Sequence, residues 1–145
     1  MRRPLLLVAV AGLTLSACAE PGEPGASDPT ESAWVLQSGT LEGAAIPIVD
    51  DHPITLTFDP DLEEAGGVSA CNNYFGGYTI SGAEISFSDL GQTMMACEPE
   101  EVMDSETKYL RAMALVGGFT ATEDTLTLTG DGVELVFVVD ADASS

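Results

Sequence analysis

Cations are nearly missing from this 145-residue chain, in which Lys and Arg together number four against 24 Asp and Glu. Two of the four, Arg2 and Arg3, stand at the extreme N-terminus, leaving Lys108 and Arg111 for the rest of the molecule. That balance excludes nucleic-acid binding, because phosphate contacts need a cationic face, and it disfavours adhesion to anionic head groups. So much acid keeps a protein soluble by self-repulsion, suits a salty habitat, or attracts a cationic partner or loosely held divalent ions. Histidine and tryptophan occur once each, and there are three cysteines, Cys18, Cys71 and Cys97. Past the N-terminal segment no apolar run approaches the roughly 20 residues of a spanning helix, so a transmembrane reading fails.

What the N-terminus does have is an address. Arg2 and Arg3 precede an apolar run from Pro4 to Leu15, which ends in Leu15-Ser16-Ala17-Cys18. A charged start, a short apolar stretch and a small-residue cleavage site make a secretory signal peptide of residues 1–17. Leu-Ser-Ala-Cys also resembles the lipobox of bacterial lipoproteins, which implies that Cys18 carries diacylglycerol and becomes the mature N-terminus. Acyl chains anchor at about 0.8 kcal/mol per buried CH₂, so two or three of them hold a protein to a membrane almost irreversibly. The mature chain then has two strong cations against 24 acids, a formal charge of −22. Ala19 is not acidic, and by the sorting rule of such lipoproteins this implies an outer membrane, facing the periplasm. Residues 18–32 comprise the acylated cysteine and the spacer AEPGEPGASDPTES, which has no large apolar side chain to offset the entropy of ordering and reads as a flexible tether.

Residues 33–140 are the right size for one domain, with 141–145 as a disordered tail. Several runs alternate with period two, as half-buried antiparallel strands do: Ile54 to Phe58, Glu84 to Ser88, and Thr125 to Thr129. Gly130-Asp131-Gly132 joins the last of these to Val133–Val138 as a tight hairpin, and Ser81-Gly82-Ala83 joins Tyr78–Ile80 to Glu84–Phe87. Trp34–Leu36 and Ile46–Val49 complete a meandering sheet. From Pro99 to Val116 the period changes: Val102, Met103, Tyr109, Leu110, Met113 and Val116 form one helical stripe. Glu100 and Glu101 suit the helix start, Lys108 and Arg111 fall toward the other end, and Gly117 can stop it. The fold class is α+β, mainly β, with one helix packed on an antiparallel sheet. Glu106 lies inside the apolar stripe, where a carboxylate needs hydrogen-bond partners or a raised pKa.

Three stretches share one resemblance: Trp34-Val35-Leu36, Ser69-Ala70-Cys71-Asn72-Asn73-Tyr74-Phe75-Gly76-Gly77-Tyr78, and Thr93-Met94-Met95-Ala96-Cys97. Together they resemble the META domain of HslJ-like heat-shock lipoproteins, over nearly all of Ala33 to Val138. The resemblance implies a compact, barrel-like antiparallel sheet with one helix, an envelope protein linked to stress tolerance, motility or secretion, and no established catalysis. Many such domains have Gly where this chain has Ala70, which argues against a glycine-only backbone angle there.

Candidate chemistry is sparse. Once Cys18 is acylated, Cys71 and Cys97 are the remaining pair in an exported chain, and a disulfide is the default. A redox-active pair would want a Cys-x-x-Cys spacing and a cation to lower a thiol pKa. His52, within Asp50-Asp51-His52-Pro53, could join the aspartates at a metal, but a solvated turn is the stronger reading. Drawing a Ser-His-Asp arrangement around it finds no Gly-x-Ser-x-Gly context. Asp59-Pro60-Asp61 and Glu63-Glu64 lack the spacing of a calcium loop. Asn72, Asn73 and Tyr74 form the densest polar and aromatic cluster, suited to turn construction or, with Glu106, to ligand contact. The chain thus reads as a monomeric, noncatalytic envelope module without cofactor or metal, tied to the membrane through Cys18 and meeting an envelope protein partner. A carrier of small molecules or lipids is the second reading, and a hydrolase a distant third.

Overall fold

The computed structural model describes residues 27–144. Cys18, the signal peptide and most of the spacer lie outside the described residues. In chain order the elements are β1 (Trp34–Leu41), β2 (Ala44–Ala45), β3 (Thr55–Asp59), β4 (Glu64–Val68), β5 (Asn73–Ser81) and β6 (Glu84–Gln92). Then follow α1 (Glu100–Leu115), β7 (Val116–Ala121), β8 (Thr125–Gly130) and β9 (Val133–Val139). Every strand pairing is antiparallel, and β3 to β9 pair in sequence order. β9 returns to pair with β1 from Trp34↔Val139 to Leu41↔Val133, which closes an eight-stranded barrel with one helix. The β8–β9 hairpin turns at Gly132, whose φ of 69° is a conformation that glycine adopts without strain.

Alternation along the strands fills the barrel from within. Trp34, Leu56, Leu126, Leu128, Leu135 and Phe137 are each at most 1% exposed. Helix α1 adds Val102, Tyr109, Ala112 and Met113, all fully buried. The aromatic rings fall into two groups. Tyr109 meets Tyr74 edge to face at 5.4 Å and Phe137 at 6.4 Å, beneath the helix. Four residues further along β5, Tyr78 meets Phe58 at 5.0 Å, and Phe58 meets Phe87 at 6.4 Å.

The structure departs from the sequence reading at several places. Ile46–Val49 is not a strand; Pro47 cannot donate to a ladder, so only Ile46 N to Gly39 O (2.8 Å) and a Val49↔His52 bridge remain. Strands β4 and β7 come from EAGGV and VGGFTA, whose glycines mask any alternation. At Gly67 the absence of a side chain is required, since a Cβ would collide with the Thr55 carbonyl across the ladder. Gly117 does not cap the helix. The C-cap is Val116 in extended conformation, and the chain passes directly into β7, with no basic residue in the last helical turn. Lys108 instead pairs with Asp104 at 2.7 Å, one turn back, and Arg111 reaches Glu42 at 3.7 Å.

The domain also extends past its expected bounds of 33 and 140. Pro29–Glu31 forms a 3-10 turn capped by Asp28, so the tether ends before Ser32. The cause is the Trp34 indole: at 1% exposure its N–H needs an acceptor, and Pro29 O supplies one at 2.8 Å. Beyond 140, Ala141–Ser144 is a second 3-10 turn rather than a disordered tail.

Beneath the helix, Tyr109 and Tyr74 hydroxyls lie 2.6 Å apart, and Tyr74 donates onward to Thr55 O at 2.7 Å. Burial raises both phenols above the ordinary tyrosine value of 10.0. The folded state therefore favours the neutral phenol, and that stabilisation is complete below pH 10 and lost as pH climbs from there toward the folded values. With two such groups, the fall in stability should steepen above pH 10 toward about 2.7 kcal/mol per pH unit. Urea denaturation from pH 9 to 11.5 would measure this. A flat profile, or one no steeper than that of the Tyr74→Phe, Tyr109→Phe double variant, would contradict it.

Candidate functional site

Two chain segments and one helix face converge at the end of the barrel that the helix covers. The turn from β4 to β5 carries Ser69 to Asn72, the stretch after β6 carries Thr93 to Cys97, and α1 presents Glu106. Glu106 is 2% exposed and takes three hydrogen bonds. Asn72 N donates to its Oε2 at 2.7 Å, Ser69 Oγ to the same oxygen at 2.8 Å, and Asn72 Nδ2 to Oε1 at 2.8 Å. All three partners are donors, which is what an acceptor-only carboxylate needs. The expectation that Glu106 requires partners inside the stripe is met by the turn opposite.

Asn72 uses the rest of its amide on the other segment. Its Oδ1 accepts from Met95 N at 2.6 Å and Thr93 Oγ1 at 3.0 Å, while Nδ2 also donates to Met95 O at 3.0 Å. The side chain thereby stands in for a strand neighbour and leads the chain toward Cys97. Cys97 forms a disulfide with Cys71, their Cα atoms 5.8 Å apart. Ala70, just before it, has φ 81°, so the backbone does adopt the glycine-favouring angle that the alanine had argued against. A left-handed alanine costs about 1–2 kcal/mol, and the surrounding bonds hold it there.

Of the four residues grouped from sequence, the structure joins Asn72 and Glu106 and separates the other two. Asn73 is exposed, with its amide on Thr93 Oγ1 at 3.1 Å. Tyr74 belongs to the hydroxyl chain with Tyr109. Ser69, fully buried, completes the network and was not singled out from sequence. Among the described residues no buried side-chain nitrogen or oxygen is left without a partner, so this cluster is spent on structure. His52 sits in a turn whose Asp51 has φ 64°, and its Nδ1 lies 3.3 Å from Ala70 O. Among the described residues no three His, Cys, Asp or Glu side chains are placed to share a metal ion.

A larger concavity opens elsewhere. A groove of about 1060 Å³ lies between the Ser27–Thr30 segment, the β5–β6 hairpin and β7, lined among others by Asp28, Glu63, Tyr78, Ile80 and Phe119. Of these, Glu63 alone was weighed from the sequence, as a calcium ligand, and set aside; the others were not singled out. Tyr78 alternates like a core residue, and Phe119 lies on a strand whose glycines conceal it.

The profile of the META domain family matches residues 27–142. The chain belongs to the META domain family. Its coordinates are similar to an NMR structure of a protein from Burkholderia xenovorans, with 27% identity, TM-score 0.67, and 97% of this chain and 99% of that one covered. A second NMR structure shares the fold at 21% identity and TM-score 0.60, over 80% of this chain and 94% of the other. No curated protein matches.

The network predicts an ordered mutational series. Glu106→Gln keeps one acceptor and should destabilise by about 1–3 kcal/mol, whereas Glu106→Leu strands all three donors and should cost more than that. Urea denaturation that finds the leucine variant the more stable would show the site to prefer apolar packing. Cys71→Ser should lose about 3.5 kcal/mol in oxidising buffer, from closure of a loop with sequence separation 26, and match wild type in reductant. Two free thiols in protein purified without reductant, read by mass spectrometry, would refute the structural role.

Proposed function

We propose that this META-domain protein is a noncatalytic interaction module of the bacterial cell envelope, held to a membrane through lipid on Cys18 and assisting other envelope proteins under stress. The observation that carries this reading is the completeness of the buried polar cluster. Every polar group of the Ser69, Asn72 and Glu106 network already has a partner, so none is free to act as nucleophile, acid or base. The barrel interior is equally occupied, by Trp34, Leu56, Leu126, Leu128, Leu135 and Phe137. A carrier of the lipocalin sort keeps its ligand inside the sheet, and here that space is side chain. What remains is the outer surface, dominated by carboxylates, which favours fast encounter with cationic partners.

Two measurements test this. Cys18→Ala should move the protein from the membrane fraction to the soluble periplasm, because it removes the acyl attachment point. A variant that still pellets with membranes would defeat the anchor. Crosslinking in stressed cells should trap a reproducible envelope protein, less efficiently as salt rises past about 0.1 M, where the Debye length is near 10 Å. Recovery of only a stoichiometric small ligand would favour the carrier instead.

A further inference from the structure

The two ends of the barrel differ in how completely they are satisfied. Under the helix, two tyrosine hydroxyls are paired with each other and with Thr55 O. At the groove, Tyr78 is only 9% exposed, its ring packed edge to face on Phe58, yet its hydroxyl has no hydrogen-bond partner among the described residues. That oxygen retains solvent access, since no fully buried polar atom lacks a partner, and Tyr78 lines the groove. The hydroxyl therefore opens onto the groove, where water or a docked donor can complete its hydrogen bonding.

The charges around this hydroxyl have one sign. Asp28 comes from the N-terminal turn and Glu63 from the β3–β4 hairpin, and both line the groove. With Asp59 nearby, they add to burial, the larger cause, in raising the Tyr78 phenol. Glu63 makes no side-chain hydrogen bond or ion pair among the described residues. Lys108 and Arg111, the cations of the described chain, are engaged on α1 and β1's hairpin with Asp104 and Glu42, and neither lines the groove. The acidic spacer that precedes Ser27 contains no Lys or Arg at all. Among the described residues no Lys or Arg reaches these carboxylates, so a cation that pairs with them there comes from outside the described chain.

We propose that this groove docks a short cationic and apolar segment of a partner protein, its ammonium or guanidinium placed between Glu63, Asp28 and the Tyr78 oxygen. The apolar stem of such a side chain lies along Ile80, Phe119 and Pro60, the usual division of a long basic side chain into buried stem and polar head. A peptide segment fits better than a free small molecule because the groove is an open trough, whereas small-molecule sites enclose most of their ligand. This assignment rests on the reading of the chain as an interaction module and names the chemistry of what it meets.

The test uses the purified chain carrying Cys18→Ser, labelled for NMR and titrated with an acetylated, amidated leucine-lysine tetrapeptide. Amide shifts should concentrate at Tyr78 to Ile80 and Phe119 to Ala121. Tyr78→Phe, which keeps the ring, and Glu63→Gln should each weaken binding about ten-fold, as loss of a hydrogen bond to a charged group does. The charge-matched Glu101→Gln on the helix should leave it within about two-fold. Shifts spread evenly over the acidic surface, or none, would overturn the groove assignment, as would equal losses from Glu101→Gln. Spermidine binding the groove as tightly as the tetrapeptide would replace the peptide segment with a free amine. In-cell crosslinking separates this claim from the broader one. An adduct formed by wild type and lost in the Tyr78→Phe, Glu63→Gln variant supports both, and one that persists in the variant sinks the groove alone. No adduct with wild type, together with no tetrapeptide binding, sinks both.

Discussion

A carboxylate with no water must be given donors, and in this protein that demand organises everything around it. Glu106 lies on the buried face of the sole α-helix among the described residues, and its three donors all come from Ser69 and Asn72. Removing any one leaves a desolvated group unpaired, a larger loss than the net gain from forming an average hydrogen bond. The helix therefore has one register against the barrel, set by a turn 34 residues earlier in the chain. Asn72 passes the constraint on, because the amide that donates to Glu106 also fixes Met95 from both its N–H and its carbonyl. The disulfide then closes the same turn onto the helix approach. Ala70's left-handed backbone is tolerated because four residues, Ser69 to Asn72, must aim three donors at one carboxylate.

That arrangement makes the helix end of the barrel a closed structural unit and leaves the groove at the other end open to solvent. Tyr74 and Tyr78 show the contrast within one strand. Both rings are buried and both meet another aromatic edge to face, but only Tyr74 has its hydroxyl bonded within the described chain. The acidic composition takes on a location in the same way. Spread over the surface, carboxylates maintain solubility. Gathered beside the Tyr78 hydroxyl, in a trough with apolar walls, they are the basis of the proposed docking chemistry.

Much of this was legible in the sequence, and the limits have physical causes. Strict alternation gave Ile54 to Phe58, Glu84 to Ser88 and Thr125 to Thr129 their strands, and helical spacing placed α1 within a residue at each end. Glu106 announced its need for partners by its position in the stripe, and the cysteines their pairing by being the pair left after Cys18. Alternation failed where glycine replaces it, in β4 and β7, since those strands exist through their neighbours' ladders rather than their own side chains. It also failed at the boundaries. Pro29 becomes ordered because the Trp34 indole needs an acceptor, a demand made from five residues away. The groove was invisible for a further reason. Asp28, Glu63, Tyr78 and Phe119 are brought together only by barrel closure, and no local pattern marks them.

The central claim is that the Glu106 carboxylate binds helix and barrel into one cooperative unit. Native-state hydrogen exchange at the Asn72 amide tests it most directly, because that N–H donates to Glu106 Oε2 at 2.7 Å and to nothing in the sheet. If the account is right, this turn amide exchanges only through global unfolding, with the same free energy as the Leu128 and Leu135 amides at the centre of the β8–β9 ladder. Exchange through a local opening, several kcal/mol below the global value, would mean that the helix lifts from the turn while the barrel stays folded, and would contradict it.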